Sequence, residues 1–158
     1  MKLKNKNKKG FTLVELLAVI VILSVVALIG MTTVLPRVEQ ARKDAFVTEA
    51  NKFMQAGANA YATLLIDGGT ITGTSPVGGS LGTGGGTIDI RTLVSKGYIN
   101  KADIAGYSGC VQVTISGSGN SAVASYQIKL SNGKFNTDGY KTNVTSSGLK
   151  SGDKASSC

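Results

Sequence analysis

Lys8-Lys9-Gly10-Phe11-Thr12-Leu13-Val14-Glu15 opens an apolar run that continues to Leu35. Across the 25 residues from Phe11 to Leu35 the only charged side chain is Glu15. As a helix this run is roughly 37 Å long, enough to cross a hydrocarbon core of ~30 Å with some tilt. Before it lies a leader with five lysines (Lys2, Lys4, Lys6, Lys8, Lys9) and no acid. Basic flanks stay on the cytoplasmic side, so the chain after Leu35 is expected outside.

Two ordinary explanations fall short. A cleaved signal peptide has an apolar core of ~7–15 residues and a small-residue cleavage site, whereas this run is longer and Met31-Thr32-Thr33-Val34-Leu35-Pro36 holds no such site. A plain signal-anchor accounts for length and orientation but not for Glu15, since an acid inside a span costs up to ~3 kcal/mol near its centre. Even near the interface, an intramembrane carboxylate calls for a partner.

The opening Lys8-Lys9-Gly10-Phe11-Thr12-Leu13-Val14-Glu15-Leu16-Leu17 and its aliphatic continuation resemble the class III signal of type IV pilins and pseudopilins. The short leader is similar to the type IVa subclass, and Ala41-Arg42-Lys43-Asp44-Ala45-Phe46 is similar to Gram-positive prepilins. The resemblance covers about the first 50 residues. It implies that a prepilin peptidase cuts between Gly10 and Phe11 and methylates the new Phe11 amine. It implies further that Glu15 serves assembly. Cleavage creates an ammonium on Phe11, and pairing it with Glu15 of a neighbouring copy would remove two unfavourable charges together and set register. The apolar helix would then have two solvents, first lipid and later other copies of itself. In the common pilin pattern a proline comes a few residues before the position of Pro36 and a glycine lies mid-span, where Ser24 stands here.

Formal charge is +8, but five positives belong to the leader; 12 basic and 9 acidic residues remain beyond it. The basic balance therefore reports targeting, and Lys141, Lys150 and Lys154 make only a weakly basic tail for any nucleic acid. Histidine is absent, which removes His-based triads and most zinc sites. The two cysteines, Cys110 and Cys158, have no Cys-x-x-Cys spacing; in an exported domain the pair is most simply a disulfide, with two free thiols as the alternative.

Pro36 marks the end of the apolar run and should draw Leu35 away from helical geometry. From Arg37 to about Leu65 the period is helical: Phe46, Ala50, Phe53, Gly57, Tyr61 and Leu64 form one apolar stripe that something must cover. Residues 68–86 hold nine glycines and no apolar period, which predicts a loop. Within it, Gly82-Thr83-Gly84-Gly85-Gly86-Thr87 only superficially suggests a phosphate loop, because the Gly-Lys-Ser/Thr ending is missing. Ile88 to Ile99 reads as a short helix stopping at Gly97. Strands are predicted at Val111–Ile115, Val123–Leu130 and Lys134–Tyr140, with the residues around Val144 a candidate fourth. Asn132-Gly133 is the strongest hairpin signal. Asn136-Thr137-Asp138-Gly139 has the look of a calcium-loop fragment without the bidentate Glu, and Asn143-Val144-Thr145 fits a glycosylation sequon.

The expected fold is α+β and pilin-like, a long N-terminal helix packed on a small antiparallel sheet. The expected divisions are a cleaved leader over residues 1–10, a membrane and filament-core helix over 11–35, and a head over 36–158. The head divides into an amphipathic helix (36–66), a Gly-rich loop (67–87) and a short helix with the sheet (88–158). The resemblance implies a pilus filament subunit rather than an enzyme, with no cofactor or metal. Its implied partners are copies of itself, the prepilin peptidase, the assembly machinery with minor pilins, and the cytoplasmic membrane before export to a surface filament of attachment or motility. The alternatives are a pseudopilin of a secretion or DNA-uptake machine, and a membrane-tethered binding domain or enzyme.

Overall fold

The computed structural model describes residues 10–72, 79–118 and 121–152. The chain is α+β and pilin-like, with a long helix α1 (Leu13–Asp67), a short helix α2 (Ile90–Ser95) and a seven-stranded antiparallel sheet. Its contacts form two units, one ending at Gln40 and one beginning at Ala41.

In the first unit every large apolar side chain from Phe11 to Leu35 is exposed. The segment is long and apolar enough to cross a membrane, with a mean hydropathy of 2.9 over its best window. Its hydroxyls present no unmet hydrogen bond to such a solvent. Ser24 Oγ donates to the Ile20 carbonyl (2.7 Å), and Thr32 and Thr33 donate to Ile29 (2.9 and 3.3 Å), satisfying themselves on the preceding turn. The expected break at Pro36 does not occur, and Leu35 is helical. Proline removes one N–H from the helical ladder, and the regular turns before and after it carry the helix through.

In the second unit the predicted stripe is the core. Phe46, Ala50, Phe53, Gly57, Tyr61 and Leu64 are all buried, joined by Ala56 and Ala60. They pack against Val111, Val113, Ile128, Leu130 and Phe135 of the sheet. Tyr107 adds an aromatic cluster, its ring centroid 5.9 Å from Phe46 and 5.5 Å from Phe53. Lys52 on α1 pairs with Asp103 (2.9 Å) in the 3₁₀ turn Lys101–Ile104, a half-exposed contact that adds little energy.

Gly57 shows how closely helix and sheet approach. A Cβ there would stand 2.5 Å from Val111 Cγ1 and 2.9 Å from its Cβ. Gly57→Ala should gain up to ~1 kcal/mol of helix propensity and lose more to overpacking, about 1–3 kcal/mol. We expect a lower melting temperature for Gly57→Ala, partly restored by Val111→Ala in the same chain. Additive losses in a thermal double-mutant cycle would show that the two sites do not meet.

The strands are β1 (Thr70–Thr72), β2 (Ser80–Gly82), β3 (Gly85–Asp89), β4 (Ser108–Ser116), β5 (Val123–Ser131), β6 (Phe135–Asn136) and β7 (Lys150–Ser151). They follow one another in the sheet in chain order. Ile88, Val111 and Ile128 stand opposite one another across β3, β4 and β5, an apolar row against α1.

Three expectations need correction. The Gly-rich 67–87 segment is not simply a loop, since it supplies β1, β2 and the start of β3. At Gly86 the backbone has φ +142°, and a Cβ would collide with the Ser80 carbonyl, so glycine there lets two strands close up. The short helix starts at Ile90 rather than Ile88, because Asp89 caps it by accepting from the Arg91 N–H (2.6 Å). Finally, the strand expected to run to Tyr140 stops at Asn136, and the last strand is Lys150–Ser151 rather than the stretch around Val144. The Thr137 hydroxyl accepts from the Leu130 N–H (3.1 Å), Asp138 adopts φ +49°, and pairing resumes only at Lys141 opposite Ile128. The Asn132-Gly133 hairpin forms as predicted, with Asn132 Oδ1 accepting from the N–H groups of Lys134 (3.1 Å) and Phe135 (2.8 Å).

Candidate functional site

The site is the junction of leader and helix. Gly10, Phe11 and Thr12 are non-helical, and α1 begins at Leu13. The Gly10–Phe11 bond therefore lies in backbone that no helical hydrogen bond encloses, as a protease requires. A Cβ at Gly10 would meet nothing within 4 Å. Among the described residues, then, nothing crowds this position. Phe11 is 89% exposed.

Glu15 does have a partner within the chain. The Thr12 N–H and Thr12 hydroxyl both donate to Glu15 Oε2, at 2.8 and 2.9 Å. The Glu15 N–H in turn donates to Thr12 Oγ1 (3.2 Å). This is a capping box, with Thr12 at the N-cap and Glu15 three residues on, so the carboxylate satisfies orphan donors at the positive end of the helix dipole. Both Thr12 donors converge on one oxygen, Oε2. Sequence reasoning passed over Thr12, although the Thr-x-x-Glu pattern was there to read.

The other candidates lie apart from this junction. Cys110 is fully buried on β4 and carries no free thiol; Cys158 lies outside the described residues, as does the leader from Met1 to Lys9. In the calcium-loop fragment, Asn136 and Thr137 direct their side chains to the backbone. Asn136 Nδ2 donates to the Gly152 carbonyl (2.8 Å), Asn136 Oδ1 accepts from the Asp138 N–H (2.9 Å), and the Thr137 hydroxyl donates to the Gly139 carbonyl (2.8 Å). Among the described residues no three His, Cys, Asp or Glu side chains gather as metal ligands. The Gly82–Thr87 stretch is the β2–β3 turn, where the Thr83 carbonyl accepts from the Tyr61 hydroxyl (2.9 Å). Asn143 is exposed beside the buried Val144.

Residues 5–31 match the prokaryotic N-terminal methylation motif, the class III signal of type IV pilin-like and pseudopilin precursors. That motif and the exposed apolar helix together point to membrane anchoring and to processing by a prepilin peptidase. No curated protein and no solved structure matches the chain.

Proposed function

We propose that this chain is the precursor of a type IV pilus subunit. In this reading it is cut between Gly10 and Phe11, methylated on the Phe11 amine, and polymerised through its N-terminal helix. The observation that carries the reading is the methylation motif at residues 5–31, continuous with an apolar helix whose large side chains are exposed among the described residues. A structural role suits such a segment, since so large an exposed apolar surface needs lipid before assembly and neighbouring helices afterwards. The subunit waits in the cytoplasmic membrane with its N-terminus inside, then joins a surface filament built with the assembly machinery and minor pilins. Glu15 would pair with a neighbour's Phe11 amine, and Cys110 with Cys158.

Processing is the direct test. Intact-mass measurement on membrane-derived protein should give a chain that begins at Phe11 and is one methyl group heavier than its sequence. With Gly10→Leu, the full-length chain should accumulate instead, still folded, because position 10 precedes α1 and takes no part in the core of the unit beginning at Ala41. Recovery of a chain that begins at Met1 from cells with an active peptidase would end this reading.

A further inference from the structure

Of the nine asparagines in the chain, only Asn132 is followed by glycine. The hairpin it forms between β5 and β6 does more than reverse the chain. Asn132 Oδ1 accepts from two backbone N–H groups, those of Lys134 at 3.1 Å and Phe135 at 2.8 Å. The Gly133 N–H donates to the hydroxyl of Ser131 (3.3 Å), a residue that is itself buried. Gly133 is exposed, and a Cβ built on it would meet nothing within 4 Å, so water reaches the turn.

These contacts bear on one reaction, attack of the Gly133 nitrogen on Asn132 Cγ to close a five-membered ring. The two atoms belong to adjacent residues, so no encounter has to be arranged. Attack puts negative charge on Oδ1, and donors ~2.7–3.1 Å from an oxygen where charge develops act as an oxyanion hole. The Lys134 and Phe135 N–H groups stand at that distance from Oδ1. The attacking nitrogen must also lose its proton, and Ser131 Oγ is the atom that already accepts it. Glycine suits the second position because no Cβ shields its nitrogen.

We propose that Asn132-Gly133 is a self-modifying site, at which the fold promotes loss of the Asn132 side-chain amide. The Gly133 N–Cγ bond forms, the Cγ–Nδ2 bond breaks, and the proton shed by the Gly133 nitrogen leaves with Nδ2 as ammonia. Water then opens the cyclic imide. Opening at Cγ gives aspartate, and opening at the main-chain carbonyl gives isoaspartate, which adds a methylene to the backbone of the turn. Either product adds a negative charge to the hairpin. The site lies wholly beyond Ala41 and needs no partner, so it stands or falls independently of processing and assembly.

The test incubates the full-length chain in detergent micelles at neutral and mildly alkaline pH, folded or unfolded in urea, and maps its peptides by mass spectrometry. A peptide spanning residues 129–135, incubated in both buffers, corrects for urea itself. In the folded chain Asn132 should convert to a mixture of aspartate and isoaspartate, several-fold faster than in urea, while the other asparagines stay intact. Ser131→Ala keeps the Asn-Gly pair but removes the proton acceptor. It should slow the folded chain by about two- to tenfold, the equivalent of one hydrogen bond, and leave the rate in urea unchanged. Near-UV circular dichroism checks that this variant is folded, and the wild-type comparison decides the matter without it. Three outcomes overturn the proposal. Asn132 stays intact, or it converts more slowly folded than in urea, which would mean that the turn merely holds the side chain still. In the third, folded Ser131→Ala converts as fast as the wild type.

Discussion

Glu15→Gln should leave the chain inserted and capped yet unable to assemble. Gln is accepted in a capping box, so its carbonyl oxygen can take over the bonds that Glu15 Oε2 receives from Thr12. Insertion should not suffer, because a charge leaves the apolar segment. The core of the second unit should be untouched, since its first helix residue is Phe46. Only the charge is lost. If that charge neutralises a neighbour's Phe11 amine, its removal strands a buried ammonium at a typical cost of about 3–5 kcal/mol. Per contact that is a factor of about 10²–10³ or more, and every subunit repeats it. Glu15→Ala should assemble no better, while Thr12→Val, which loses the N-cap but keeps the carboxylate, should cost only about 0.5–2 kcal/mol in helix stability and retain filaments. The measurement compares sheared surface filaments with the membrane pool in cells lacking a wild-type copy. Filaments from Glu15→Gln but not from Glu15→Ala would assign Glu15 to the cap alone and discard the intersubunit pair.

What was legible in the sequence was whatever repeats locally or answers to a solvent. The Phe46 to Leu64 stripe announces its buried face because helical period and burial are the same fact. Asn132-Gly133 announces a turn because its demands on φ are local, and Gly133 indeed has φ +80°. The glycines before Asp89 were opaque for the opposite reason. At Gly86 the need for glycine is set by the Ser80 carbonyl across the ladder, and composition alone does not separate a close-packed strand from a loop. Pro36 misled because a rule about one residue was weighed against no context, whereas the helix on both sides outvotes one missing donor. At the candidate site, Gly10 and Phe11 are proposed from the motif. Thr12 was missed because a carboxylate in an apolar run draws attention to charge before geometry, and the geometry here is a helix cap.

Breaking the proposed Cys110–Cys158 bridge should lower the stability of the unit beginning at Ala41 by about 4 kcal/mol, the chain-entropy value for closing a 49-residue span. Against a total of about 5–15 kcal/mol for a domain, that is a large share. Gly152 is tied back to β6, its N–H donating to the Lys134 carbonyl (3.0 Å) and its carbonyl accepting from Asn136. From β7 to β4 is three strand spacings, roughly 14 Å, with a similar offset along the strands, and six further residues reach roughly 20 Å. Cys158→Ser is the cleaner variant, because Cys110 is fully buried and a hydroxyl there would add a desolvation cost of its own. A loss of about 4 kcal/mol in a unit of this size should lower its melting temperature by about 10–20 °C. Reduction of the wild-type chain should reproduce that shift, and Cys158→Ser should be insensitive to reductant. If the unreduced, denatured wild-type chain labels two free thiols, or if Cys158→Ser melts with the wild type, the tail is held by something other than a disulfide.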